Sequence, residues 1–355
     1  MNEFDFQPLH RIGFNLQVAR RLAAAQPTEP GCRLMRIVEA QRDVYALHDG
    51  LAVHRARALG GLITKLQQGD AMLTVGDWVI VQADAHGALW FVARLAPVNR
   101  ISRRANDGQR QPLVSNVDTA LLTMGLDADF NPRRLERAIA MVAACGVTPV
   151  VALTKADLGA DVEAKVSALR ERLPAQLPIH AVNALEPADC AALAPWLTPG
   201  QTLVLLGASG TGKSTLANTL AGAPLQATGG VRRSDGRGQH TTTARSLHCL
   251  PDGACLIDTP GLRTWQPDAD AASLAASFED IAELAGQCRF RDCRHEAEPG
   301  CAVRAAVPPD RLLNYGKLLR DAERGERTPR DRIAQRAVWK RLGKAGARRA
   351  QAKRA

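Results

Sequence analysis

Aromatic side chains are scarce: seven Phe, five Trp and two Tyr in 355 residues. Surfaces that bind single-stranded nucleic acid by stacking bases need several of them. Any nucleic-acid contact made by this chain is therefore expected to run mainly to the backbone. No apolar run is long enough to make a membrane-spanning helix, so no membrane partner is expected. The opening residues, MNEFDFQPLH, lack a basic segment followed by an apolar one, so no secretory leader is expected and the cytoplasm is the expected compartment. Cysteine is present but unevenly placed. Cys32, Cys145, Cys190, Cys249 and Cys255 are scattered among apolar neighbours and read as small buried hydrophobes. The remaining three sit close together, which in a reducing compartment points to a metal rather than to disulfides.

Charge is also uneven. The net charge of +10 resides in the last stretch: residues 327–355 hold eleven Lys/Arg and one acidic residue, Asp331. The rest of the chain sums to zero. A basic tail of this kind suits a polyanionic partner such as RNA.

The sequence is organised around TLVLLGASGTGKSTL, beginning at Thr202. Residues 203–206 form an apolar run of strand length. Gly207, Ala208, Ser209, Gly210, Thr211, Gly212, Lys213 and Ser214 then fill every fixed position of GxxxxGK[ST], with Thr215 following. Glycines let backbone N–H groups close around phosphates without Cβ clashes. The start of the following helix adds partial positive charge. Lys213 is placed to reach the β/γ-phosphates and the Ser214 hydroxyl to ligate Mg²⁺. The pattern specifies a nucleoside triphosphate without specifying the base.

The remaining chain divides around this stretch. Residues 1–30 read as an N-terminal extension with a short helix. Residues 31–98 hold five strand-like runs (34–38, 44–47, 51–57, 77–82 and 89–95) separated by turn signals, which suits a small closed barrel of the OB-fold type. Residues 99–115, rich in Arg and containing Gly108, read as a mobile linker. From 116 to 275 strands and helices alternate, the pattern of a doubly wound α/β domain. Residues 276–326 read as a mostly helical metal-binding domain and 327–355 as the basic tail.

Two further segments belong with a nucleotide. Thr154, Lys155, Ala156 and Asp157 close an apolar strand, and strand ends are where open α/β sheets bind ligands. An Asp there can accept from both the N1–H and the 2-amino group of guanine, donors that adenine lacks on that edge. The stem of Lys155 can lie along the base plane. Asp258, Thr259, Pro260 and Gly261 form DxxG after another strand, which suits an Asp near Mg²⁺ and a Gly amide near the γ-phosphate. Between them GGVRRSDGRGQHTTTAR, from Gly229 to Arg245, is polar and aperiodic, as expected of a loop ordered by the γ-phosphate. One of Thr241, Thr242 and Thr243 is expected to supply a hydroxyl to Mg²⁺.

Cys288, Cys293, His295 and Cys301 give C-x4-C-x-H-x5-C. Three thiolates and an imidazole make a closed tetrahedral set suited to one structural Zn²⁺, with no open position for metal catalysis.

The order of these parts is unusual, because the TKAD segment precedes the phosphate loop. With the N-terminal barrel and the Cys/His cluster, the chain resembles the circularly permuted GTPases of the RsgA/YjeQ family, ribosome small-subunit-dependent GTPases. The matching motifs are FNPRRLER, TKAD, GASGTGKST, GRGQHTTTAR, DTPGLR and CRFRDCRHEAEPGC. The resemblance implies a monomeric GTPase that binds the small ribosomal subunit and its RNA late in maturation, hydrolyses GTP to GDP there, and is released. Thr154 stands where Asn is usual, which implies weaker guanine affinity with the Asp157 readout kept. Asn183 and Ala184 stand where a Ser-Ala pair supports the base. Leu262, just after DxxG, cannot orient a water. His240 is the best candidate for that role, beside Lys213 as the charge-neutralising residue. Two other readings fit parts of the pattern: an RNA-binding assembly scaffold with a vestigial nucleotide site, and a P-loop ATPase or kinase.

Overall fold

The computed structural model describes residues 5–26, 31–41, 44–58, 72–104, 110–225, 245–259 and 271–326. The chain forms two compact units, Met1–Gln266 and Pro267–Ala355.

In the first unit, the five expected strands are β1 (Arg33–Gln41), β2 (Val44–His48), β3 (Val53–Ala58), β4 (Trp78–Ala83) and β5 (Leu89–Arg94). They pair in the order β1-β2-β3-β5-β4, and β4 returns to β1, so the barrel is closed. Alternation along the strands turns Met35, Ile37, Leu47, Val79, Val81 and Phe91 inward to make its core. Closure removes the free edges that a five-stranded open sheet would expose.

Residues 99–115 depart from the expected linker. β6 (Arg100–Arg104) and β7 (Arg110–Ser115) form an antiparallel hairpin. Its arginines dominate the composition, but Ile101, Leu113 and Val114 are buried, and these anchor it.

The α/β part follows with β8 (Thr119–Gly125), α3 (Pro132–Ala144), β9 (Thr148–Thr154), α4 (Val162–Arg170), β10 (Ile179–Ala181), β11 (Thr202–Gly207), a helix over Lys213–Ala221, β12 (Ser246–Cys249) and β13 (Cys255–Asp258). Before the barrel lie α1 (Gln7–His10) and α2 (Leu16–Ala25). Asn15 caps α2, its Oδ1 accepting from Gln17 and Val18 N–H groups at 3.1 and 3.2 Å. Asn131 caps α3, accepting from Arg134 N–H at 3.1 Å, with Pro132 in the first turn. β10, β9, β8, β11 and β13 are parallel neighbours in that order. β8, β11 and β13 are buried along their length, as strands covered on both faces must be.

β12 is the element the sequence pattern hid. It runs antiparallel to β13, and Ser246 also pairs with Glu39 of β1. The barrel and the α/β sheet are therefore one continuous hydrogen-bonded sheet.

Arg36 of β1 fastens this seam. Its side chain is fully buried, and its guanidinium donates to Ile12 O (2.6 Å), Thr202 Oγ1 (2.8 Å), Asn116 O (2.9 Å) and Gly76 O (3.3 Å). It also lies over the Trp78 ring. Burial lowers its pKa, and Cys255 and Asp118 oppose that. Beside it, buried Asp77 accepts from Ser115 Oγ (2.7 Å) and Thr74 N–H (2.9 Å), with Arg94 and Arg100 within 4 Å. Gly13 must be glycine: its φ is +85° and a Cβ there would overlap the Arg36 guanidinium.

In the second unit, helices over Ala271–Ala276, Glu279–Ala285, Ala302–Ala306 and Pro309–Glu326 surround Leu274, Phe278, Ile281, Val303 and Leu318. Phe278 packs edge-on against Tyr315, and Arg311 forms a two-pronged ion pair with Asp280. Among the described residues no helix is long and apolar enough to cross a membrane.

Arg36→Met would leave Ile12 O, Thr202 Oγ1 and Asn116 O without their donor, at about 1 kcal/mol each, offset in part by no longer burying a charge. Calorimetry of the full chain should show a net loss of about 2 kcal/mol and a melting temperature several degrees lower. An unchanged melting temperature contradicts the role given to Arg36.

Candidate nucleotide site and metal cluster

β8, β9, β11 and β13 all end on one edge of the sheet, at Gly125, Thr154, Gly207 and Asp258. Three of the sequence-predicted segments therefore meet there, although 104 positions separate Thr154 from Asp258.

The phosphate loop leaves β11 at Gly207. A Cβ at Gly207 would overlap Thr123 Oγ1, so the loop can start here only with glycine. Ala208, Ser209, Gly210 and Thr211 form the turn. Gly210 and Gly212 have φ of +82° and +83°, which other residues adopt at a cost. Thr211 is buried, its hydroxyl 3.0 Å from both Thr123 Oγ1 and Ala208 O. Lys213, Ser214 and Thr215 open the helix over Lys213–Ala221, with Lys213 as its first residue.

Lys213 is 7% exposed, and its Nζ donates to Gly207 O (3.0 Å) and Ala208 O (2.7 Å). Burial pulls its pKa down to about 8, with the Asp258 carboxylate pulling the other way. An ammonium with so little solvent is a strong attractor for a phosphate oxygen. Asp258 is itself buried. Its neighbour Thr259 donates to Leu205 O at 2.7 Å, fixing the end of β13 to the strand that carries the loop.

Thr154 has a task the sequence did not reveal. It is fully buried, and its hydroxyl donates to Thr211 O at 2.6 Å, across 57 positions of chain. It also lies against Gly212. The start of TKAD is thereby bonded to the phosphate loop. Lys155 follows with φ +60°, and its Nζ forms a 2.5 Å ion pair with Asp127 from the β8–α3 loop. Asp127 was not among the expected site residues. Its signal was a position at the same sheet edge, just after β8.

Asp157 is exposed on the turn closed by Leu158 N–H to Lys155 O (3.1 Å). Ala156 N–H reaches Val182 O at 3.4 Å, which brings Asn183 and Ala184 beside TKAD. Asn183 Oδ1 accepts from Leu185 N–H (3.0 Å) and its own N–H donates to Asp189 (3.1 Å). Ala184 O accepts from Thr219 Oγ1 at 2.6 Å, so the phosphate-loop helix also holds this segment. His240, Thr241, Thr242, Thr243 and Gly261 lie outside the described residues, as does the tail 327–355.

In the second unit, ligand atoms of Cys288, Cys293, His295 and Cys301 all lie within 4.8 Å of one another. His295 Nδ1 is 3.4 Å from Cys301 Sγ and 3.7 Å from Cys288 Sγ, and the two sulfurs are 3.9 Å apart. Ligands about 2.3 Å from the centre of a tetrahedron are separated by roughly 3.8 Å. His295 has φ +61°, the backbone cost of folding four such residues into so short a stretch, while Gly300 takes φ +72° without a Cβ clash. The donor set and spacing fit a small closed metal site.

Comparison with known proteins agrees with this geometry. Residues 96–268 match the sequence profile of the RsgA GTPase family. The small ribosomal subunit biogenesis GTPase RsgA of Xanthomonas oryzae pv. oryzae is 44% identical over 315 residues, covering 87% of this chain and 86% of that protein. The RsgA of Xylella fastidiosa is 46% identical over 294 residues, covering 81% and 85%. Among solved structures, YjeQ from Thermotoga maritima aligns with a TM-score of 0.60 at 22% identity, over 84% of this chain and all of that one. YloQ, described as a circularly permuted GTPase, aligns with a TM-score of 0.57 at 22% identity over 85% of this chain and 99% of its own. The strand order, the early TKAD and this extent of identity make the chain a member of the RsgA GTPase family.

Proposed function

We propose that this protein is a GTPase acting in biogenesis of the small ribosomal subunit, with the subunit and its RNA as partner and GTP and GDP as ligands. The observation that carries the reading is the bond from Thr154 to the phosphate loop, which holds a guanine-reading segment against a triphosphate-binding one.

In this reading the N–H groups of residues 208–214 and the Lys213 ammonium hold the β- and γ-phosphates. Lys155, held by Asp127, lays its stem along the base. Asp157 accepts from N1–H and the 2-amino group, and Asn183 and Ala184 back the base from the neighbouring strand end. Ser214 and Asp258 would hold Mg²⁺, with Thr241 or Thr242 as a further ligand. A divalent ion there neutralises phosphate charge. The Gly261 amide meets the γ-phosphate, and His240 orients the attacking water. Phosphoryl transfer needs positioning and charge more than covalent help, so a chain without an intrinsic water-orienting Gln turns over slowly until its partner orders the loop.

The cysteine–histidine cluster holds one Zn²⁺ as a structural element of the second unit. The basic tail adds phosphate contacts, and the protein works in the cytoplasm as a monomer.

Single-turnover hydrolysis with purified small subunits tests the function. Turnover should rise by ~10-fold or more over the chain alone, and Lys213→Ala should abolish both rates. Equal turnover with and without subunits contradicts the reading. For the metal, elemental analysis should find one zinc per chain. Cys293→Ala or a strong chelator should remove it and melt the helical signal of the second unit at lower temperature. A metal-free protein with unchanged melting contradicts the structural role.

A further inference from the structure

β12 and β13 form a hairpin whose register sets Cys249 directly opposite Cys255. At its turn, Leu250 N–H donates to Ala254 O (2.8 Å) and Gly253 N–H to Leu250 O (3.0 Å). The Cys255 N–H points away from β12, to Gln201 O at 2.8 Å. The two cysteines therefore occupy a non-hydrogen-bonded position of the ladder. Facing residues there have Cα atoms about 4.5 Å apart and side chains on one face. That separation lies within the range a disulfide spans. No other strand pair among the described residues sets two cysteines opposite each other.

The two thiols differ in access. Cys249 is exposed, whereas Cys255 is buried with its Sγ 3.6 Å from Arg11 O. The facing Cys255 thiol, then the nearby Arg36 charge, holds the Cys249 thiol below its ordinary range, against partial desolvation of its sulfur. The same contact pushes Cys255 up. An accessible thiolate beside a resolving thiol is the arrangement of a redox-sensitive dithiol.

We propose that Cys249 and Cys255 form a peroxide-sensitive pair that closes into a cross-strand disulfide and clamps β12 to β13. The Cys249 thiolate attacks one oxygen of a hydroperoxide and the O–O bond breaks. This gives the Cys249 sulfenic acid and a hydroxide or alkoxide, which takes up a proton. The Cys255 sulfur then attacks the Cys249 sulfur, the S–O bond breaks, and water leaves with the Cys255 proton. Two thiols are oxidised, and with hydrogen peroxide one molecule is reduced to two waters. An external dithiol reverses the bond by exchange. The clamp matters because β12 joins the barrel to the α/β sheet through Ser246 and Glu39, and β13 ends at Asp258.

Tryptic cleavage after Arg245 and Arg263 places both cysteines in one peptide, residues 246–263. The full-length, metal-loaded chain is treated with stoichiometric hydrogen peroxide, blocked with N-ethylmaleimide and digested. The expected peptide is unlabelled and lighter by two hydrogens, and dithiothreitol restores two labels. Hydrogen exchange at residues 246–249 should slow by roughly threefold or more on oxidation. Cys249→Ser alters only the exposed member, so folding should be kept, and it should abolish the light peptide. The proposal is overturned by a doubly labelled peptide after peroxide, by Cys249 stalled at sulfinic or sulfonic acid, by pairing with a cysteine of the metal cluster, or by a disulfide that leaves exchange unchanged.

Discussion

A single buried hydroxyl sets the geometry of the candidate site. Thr154 Oγ1 donates to Thr211 O at 2.6 Å with both residues out of solvent. In such a place a hydrogen bond is expensive to lose, because neither partner can turn to water. The bond fixes the distance between the end of β9, just before Asp157, and the glycine turn that leaves β11. Thr123, Thr211 and Thr259 extend the same device across three strand ends, through bonds to Leu206 O, Ala208 O and Leu205 O. Chain order is irrelevant to this edge: a parallel sheet brings its carboxyl ends together whatever the sequence in which the strands were made.

A second constraint holds the barrel to that sheet. Arg36 gathers Ile12, Gly76, Asn116 and Thr202, which come from the N-terminal segment, the barrel, the exit of the β6–β7 hairpin and the first residue of β11. Thr202 is the foot of the phosphate-loop strand. β12 completes the seam, pairing with β1 on one side and β13 on the other. The barrel and the strand that carries the glycine turn thus share one hydrogen-bonded sheet, rather than being modules joined by a tether.

Much of this was legible in the sequence. The glycine turn after β11, the TKAD strand end, the position of Asp258 and the gathering of Cys288, Cys293, His295 and Cys301 each rest on a fixed local spacing, and local spacing survives folding. The five barrel strands were readable from alternation and turns. What escaped was non-local. Arg36 looks like any strand arginine until the topology surrounds it with carbonyls. Thr154 read as a weakened Asn, because its partner lies 57 positions away. The β6–β7 hairpin was masked by its own charge, and β12 is only four residues long.

The central claim is that this edge selects guanine through Asp157, and changing the acceptor to a donor tests it most directly. An Asp157→Asn side chain can no longer accept from the 2-amino group but can donate to the 2-carbonyl of xanthine. Calorimetric titration should show GDP binding lost by roughly 100-fold and XDP binding gained by a similar factor, with ADP weak to both proteins. GDP preference retained by Asp157→Asn, or ADP bound by the unaltered chain as tightly as GDP, would contradict it.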